Sequence, residues 1–210
     1  MAGHHYEPLE NKESGGLTSI SSSWGPTWEV ESKPQFTAPG GNILSTYPMK
    51  MGEYAVMSGT SMATPLAAAI FALVAQARGS HDPFELRSVI SSTSKPKPWF
   101  DGKTVHDILA PVAQQGSGLI QAHDAAHATT VLSASQISFN DTDNFSGRKK
   151  FSIKNTGDKD VTYKLRHTKA ATMYTFAAGS HSAAAFPNPV VDDWAELSFS
   201  PKYDCILFPL

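Results

Sequence analysis

Ser58-Gly59-Thr60-Ser61-Met62-Ala63-Thr64-Pro65 runs directly into LAAAIFALVAQARG, residues 66–79. The second half is Ala-rich and apolar at nearly every position, which is the composition of a helix buried on every side. Its unbroken apolar run, Leu66–Ala75, spans about 15 Å at 1.5 Å per residue, half of a bilayer core, so it reads as a core helix and not a membrane span. Pro65 lacks an N–H and is tolerated in the first turn, so the helix is expected to begin near Met62 or to kink. Thr60 and Ser61 then stand at the helix entrance, where unpaired N–H groups and a partial positive charge stabilise an oxyanion. Gly59 allows a close approach without a Cβ clash. Two readings of the hydroxyls follow: a cap for the helix, or a nucleophile set at its anion-stabilising end.

Outward from this segment the chain divides into three. Residues 1–16 are polar and aperiodic and end in Gly15-Gly16. Residues 17–130 pass from short strand-like runs, Asn42–Tyr47 and Glu53–Met57, into helical periodicity. A second helix is expected from Asp82-Pro83-Phe84-Glu85, with Asp82 as N-cap, Pro83 in the first turn and Glu85 reaching back as a capping-box partner. Phe84, Leu86, Val89 and Ile90 would form its apolar side, and a third helix is expected over roughly 118–128. From Val131 to residue 210 the pattern alternates with period 2: Ile137/Phe139, Phe151/Ile153, Val161/Tyr163/Leu165 and Trp194–Phe199, with a turn at Asn155–Asp158. This suits part of a β-sandwich.

The whole chain has 210 residues, 17 basic and 19 acidic side chains and a net charge of −2, so it has no electrostatic footprint for nucleic acid. A hydrophobic content of 40% excludes wholesale disorder. The single Cys205 builds neither an internal disulfide nor a cysteine metal site. Residues 1–16 hold no apolar core of the kind a signal peptide needs.

GTSMATP closely resembles the GTSMA[ST]P signature around the nucleophile of subtilisin-like serine proteases (subtilases, peptidase S8). The stretches SSSWGPT and KPQFTAPGGNILST, within residues 21–46, resemble the family's SS-x-GP and KPD-x-x-APG segments, with Gln35 where Asp is usual. Gln115-Gly116-Ser117-Gly118-Leu119 resembles its QG-x-GL turn. The resemblance implies the C-terminal half of an α/β, parallel-sheet protease domain over 17–130. The β region over 131–210 is similar to a partial fibronectin-III-like domain of large subtilases, best matched by ISFNDTDNF and FSIKNTG. It further implies acyl transfer on a polypeptide substrate, with Ser61 as nucleophile, its own N–H as an oxyanion donor, and Gly59, Thr60 and Met62 lining the site. No cofactor or metal follows from it, and the family's setting is extracellular or cell-envelope.

The sequence departs from the family as well. The family's Asp motif D-[ST]-G and His motif HG-T-H are absent, and Gly41-Asn42 follows the SS-x-GP segment where the oxyanion Asn should precede it. The expectation is therefore a truncated, inactive piece of a serine endopeptidase, with a non-catalytic remnant or β-sandwich interaction module as the alternative. Among the other histidines, His81 lies beyond the far end of the Ser61 helix, and His106 has no orienting carboxylate of recognisable spacing. His123 and His127 share a helix face at i, i+4, the spacing of the H-E-x-x-H zinc motif. Asp124 is one methylene too short for that role and no third ligand is apparent, so they read as exposed helix histidines. Asn140-Asp141-Thr142 and Asn144-Phe145-Ser146 are glycosylation triplets, where six asparagines would give about one by chance.

Overall fold

The computed structural model describes residues 7–12, 14–177, 179–184, 189–190, 192–200 and 205–207. Its elements are mixed α/β: strand pairs and helix pairs take turns up to His127, and the described elements after it are strands. A hairpin of β1 (Ile43–Thr46) and β2 (Tyr54–Met57) leads into α1 (Thr60–Arg78) and α2 (Pro83–Thr93). A second hairpin of β3 (Pro98–Phe100) and β4 (Val105–Leu109) precedes two short helices, α3 (Val112–Gln115) and α4 (Ala122–His127). Then come β5 (Thr130–Leu132), β6 (Ile153–Asn155), β7 (Val161–Tyr163), β8 (Thr172–Met173), β9 (Pro189–Val190) and β10 (Cys205–Leu207).

The expected parallel sheet is not what the described strands form. Every strand pair among them is antiparallel and two-stranded: β1–β2, β3–β4, β5–β6, β7–β10 and β8–β9. β1 and β2 are joined by a short connection through a 3-10 turn at Met49–Met51, and a link that short admits only the antiparallel pairing. Parallel geometry survives in isolated bridges, Thr37 with Leu119 and Leu109 with Ala170. Of the alternating runs, Ile153–Asn155 and Val161–Tyr163 are strands. Ile137–Phe139 and Trp194–Phe199 are not; Phe139 instead meets Phe145 with ring centroids 6.1 Å apart.

The core is helical. Ile70 and Val74, one turn apart on α1, meet Leu86, Val89 and Ile90 of α2, with Ile120 and Ala125 closing the cluster. Each large apolar side chain fully buried here stabilises the fold by about 1.5–3 kcal/mol. Along α1 the covered stripe is Ala63, Ala67, Ile70, Phe71, Val74, Ala75 and Arg78, the spacing of one helix face. The helix is therefore not buried on every side. Leu66 and Leu73 are exposed, because α2 and α4 cover one face and no described element covers the other. By length and composition α1 would suffice to cross a membrane, with a mean hydropathy of 1.5 over eighteen residues, a longer window than its unbroken apolar run suggests.

Helix boundaries show which local signals held. α1 begins at Thr60, earlier than Met62, and runs through Pro65 to Arg78. Since Pro65 has no N–H, the Ser61 carbonyl loses its i+4 partner. Asp82 caps α2 as expected, its side chain accepting from the Phe84 N–H at 2.9 Å. Glu85 does not reach back to the cap. It holds Arg78 at 3.3 Å and accepts the Ser80 hydroxyl at 2.8 Å, while Arg78 also donates to the Ala128 carbonyl at 2.7 Å. Phe84 points outward, 71% exposed, and carries the Arg87 guanidinium over its ring at 5.5 Å.

Candidate functional site

Backbone, more than side chains, builds the surroundings of Ser61. The chain of contacts starts at Gln115, which is buried and uses every polar atom of its side chain. Its Oε1 accepts from Lys97 N–H at 2.8 Å, and its Nε2 donates to the carbonyls of Ala110 at 2.8 Å and Lys97 at 3.1 Å. This amide pins the ends of the β3–β4 hairpin to the Gly116–Gly118 turn. Gly116 and Gly118 are required there. Both have positive φ, and a Cβ would fall 2.4 Å from Gln35 backbone at the first and 2.3 Å from the Lys95 carbonyl oxygen at the second.

The turn in turn holds the segment at residues 35–40. Thr37 N–H donates to the Gly118 carbonyl at 2.8 Å, Ile120 N–H to the Thr37 carbonyl at 2.9 Å, and Ser117 N–H to the Gln35 carbonyl at 2.9 Å. At the end of that segment the Gly40 carbonyl accepts from Gly59 N–H at 2.8 Å. Asn42 and Ser58 clasp beside it, Asn42 N–H donating to Ser58 Oγ at 2.8 Å and Ser58 Oγ–H to Asn42 Oδ1 at 3.3 Å. Asn42 thus serves the loop leading into α1.

Gly59 is the N-cap of α1 with φ 156° and ψ 168°, a combination essentially confined to glycine. Its carbonyl accepts from Met62 and Ala63 N–H, and no side chain caps the helix. Thr60 and Ser61 are the first two helical residues, past the position from which a hydroxyl can cap. Both are exposed, and neither N–H has a backbone partner among the described residues. Thr64 Oγ donates back to the Thr60 carbonyl at 2.8 Å. Met62 is half-buried, its sulfur 3.9 Å from where a Cβ on Gly59 would project. Among the described residues, Ser61 is left with an unbonded hydroxyl beside unbonded N–H groups at a helix N-terminus, the arrangement that stabilises a developing oxyanion.

No described side chain hydrogen-bonds to Ser61 Oγ. His81 lies past Gly79, separated from Ser61 by the length of α1, about 25 Å. His106 differs from its sequence reading, because it does have a carboxylate partner. Its Nε2 lies 2.9 Å from Asp101 Oδ2, and its ring stacks on Trp99 with centroids 4.4 Å apart. The hairpin brings them together, and an i, i+5 separation across a turn matches no motif spacing. Asp101 also accepts from the N–H groups of Thr104 at 2.7 Å and Lys103 at 2.8 Å. The Thr104 bond first, then His106 and Lys103, bring its carboxyl down to about 2. His123 and His127 have rings 4.6 Å apart, and Asp124 pairs with Lys95 at 3.3 Å. Among the described residues no group of three potential ligands is placed to hold a metal ion. His4, His5 and the side chain of Cys205 lie outside what is described.

Comparison with known proteins places these segments. The profile of the Subtilase family matches residues 10–118. PI-type proteinase of Lactococcus lactis subsp. cremoris is 30% identical over 165 residues, which is 71% of this chain and 8% of that protein. C5a peptidase of Streptococcus pyogenes is 32% identical over 162 residues, 75% of this chain and 13% of that one. Bacillopeptidase F of Bacillus subtilis (strain 168) is 38% identical over 106 residues, 50% of this chain and 7% of that one. The chain therefore spans a small part of the length of these relatives. With a family profile covering the segments that build the Ser61 site, this chain belongs to the subtilase family of serine-type peptidases.

Proposed function

We propose that Ser61 is the nucleophile of a serine endopeptidase acting on polypeptides. The observation that carries this reading is the uncapped entrance of α1, where an exposed hydroxyl and the N–H groups beside it have no partner among the described residues. Ser61 Oγ would attack the scissile carbonyl, with the Ser61 N–H as one donor to the tetrahedral oxyanion and Gly59, Thr60 and Met62 around it. A base must take the hydroxyl proton within about 3 Å of Oγ. The sequence carries neither D-[ST]-G nor HG-T-H, so we assign base and orienting carboxylate to none of its residues. On this reading residues 17–130 are the C-terminal half of a protease domain and α1 is a core helix of it. Residues 131–210 are part of a fibronectin-III-like sandwich, supported by the antiparallel pairs β5–β6 and β7–β10. The working place of such an enzyme is extracellular or at the cell envelope. The 210 residues alone are catalytically inert, a nucleophile without its base.

Two measurements test this. The purified chain is expected to show no labelling by a fluorophosphonate probe and no peptide hydrolysis; stoichiometric labelling that disappears in Ser61→Ala would overturn the inert reading. A chimera carrying residues 10–118 in place of the matching stretch of Bacillopeptidase F is expected to cleave peptides, and to lose cleavage in Ser61→Ala. Equal cleavage with alanine at 61 would refute the nucleophile assignment.

A further inference from the structure

Residues 140–150 form the most open stretch of the β region: none is in a helix or strand, and every one is exposed. Both glycosylation triplets fall here, whereas Asn155 is buried and Asn42 is tied to Ser58. The two triplets are not equivalent. Asn144 has its Nδ2 donated to Asp141 Oδ1 at 2.8 Å, and the Ser146 hydroxyl in its triplet is donated to the Arg148 carbonyl at 3.2 Å. Asn140 stands in the left-handed region, φ 72°, and uses its Oδ1 to accept the Asp141 N–H at 3.0 Å. Its Nδ2 and the Thr142 hydroxyl have no hydrogen-bond partner among the described residues.

N-glycosylation needs those two groups free: the carboxamide nitrogen as nucleophile and the hydroxyl two residues on as the handle that the transferase grips. We infer that Asn140 is an acceptor for an N-linked oligosaccharide, with Asn144 held back by Asp141. The donor is a polyprenyl-pyrophosphate-linked oligosaccharide. Asn140 Nδ2 forms a bond to the C1 carbon of its first sugar, the bond from C1 to the pyrophosphate oxygen breaks, the amide gives up one proton, and the lipid pyrophosphate leaves. The contacts that distinguish the triplets span at most three residues, so they need nothing from the rest of the domain. A glycan at this loop is bulky and hydrophilic and meets no packed surface. This inference is independent of the role of Ser61.

The test uses the full chain behind a cleavable secretory leader, translated into endoplasmic-reticulum microsomes and scored on protease-protected molecules, all of which have met the transferase. Peptide N-glycosidase then converts each occupied Asn to Asp, which mass spectrometry locates. The expected result is a single glycan at Asn140, lost in Asn140→Gln and in Thr142→Ala and retained in Asn144→Gln. Protected wild-type chains without a glycan, or a glycan that persists in Asn140→Gln, would overturn the inference.

Discussion

Replacing Gln115 by methionine, similar in shape but without hydrogen-bonding capacity, removes the amide from which the path to Ser61 starts. Three hydrogen bonds are lost, to Lys97 N–H, Lys97 carbonyl and Ala110 carbonyl. The Lys97 carbonyl keeps a second partner in the Ala110 N–H at 3.0 Å. Two groups are then orphaned. The Ala110 carbonyl belongs to a fully buried residue and costs the full desolvation penalty, about 1–3 kcal/mol; Lys97 is half-buried, so water recovers part of its N–H loss. The expected local destabilisation is about 3 kcal/mol, which by the tenfold-per-1.4 kcal/mol rule is roughly a hundredfold rise in the open population. Hydrogen exchange of the peptides covering 95–120 and 35–40 reads this directly, without requiring a two-state global transition. Gln115→Glu should be no better. It keeps an acceptor for Lys97 N–H but sets a carboxylate against two carbonyl oxygens. Exchange within about threefold of wild type in Gln115→Met would refute the claim that this amide holds the turn.

Gly40→Ala places a Cβ 2.6 Å from the Gly59 carbonyl oxygen and 3.0 Å from Ala63 Cβ, so the loop must shift. We expect a loss of about 1–3 kcal/mol in thermal or urea unfolding, and no loss would show that the Gly40–Gly59 approach is looser than described. The hydrogen bonds that depress Asp101 favour the folded hairpin while its carboxyl is ionised, so their contribution is present above its ordinary value of 3.8 and is lost as pH falls from there through about 2. Fluorescence of Trp99, stacked on the Asp101-paired His106, should change across that acid window and do so far less in Asp101→Asn; an unchanged acid profile in the variant would refute it. Leu66 and Leu73 on α1, with Met49, Met51, Tyr54 and Val56 before it, expose enough apolar side chain to drive association. Sedimentation at micromolar concentration should show oligomers that Leu73→Gln weakens, and a monomer that melts cooperatively would contradict this.

The legible parts of the sequence were those decided within a few residues. Asp82 before Pro83 gives the α2 cap, Asn155-Thr156-Gly157 gives a turn in which Asn155 Oδ1 accepts the Gly157 N–H at 3.1 Å, and Gly59 before two hydroxyls gives the α1 entrance. What misled was any inference about which partner a side chain finds. An apolar α1 states what the helix can bury, and α2 and α4 determine what it does bury. Glu85 had an N-terminal role open to it, yet Arg78 and Ser80, folded back across the Gly79 corner, compete for the same carboxylate. The His106–Asp101 pair depends on a hairpin turn. No periodicity announces it.

The hydroxyls at the start of α1 admit two readings, and the helix itself discriminates between them. α2 is capped by a side chain, whereas α1 begins at a glycine with its hydroxyls one and two positions too late to cap. If Ser61 were structural, losing its hydroxyl would cost what losing a cap costs, about 0.5–2 kcal/mol. Among the described residues Ser61 Oγ has no hydrogen-bond partner, and the residue is exposed. Ser61→Ala should therefore change stability by less than about 0.5 kcal/mol, the range of surface substitutions, and alanine's better helix propensity favours the variant slightly. Asp82→Ala serves as the internal standard, expected to lose about 1 kcal/mol with the Phe84 N–H left unpaired. Paired urea titrations decide the matter. If Ser61→Ala costs as much as Asp82→Ala, the hydroxyl holds the helix, and the nucleophile reading loses its structural support. If it costs nothing, the capping reading is refuted, and the nucleophile reading is the one left for the labelling and chimera experiments to decide.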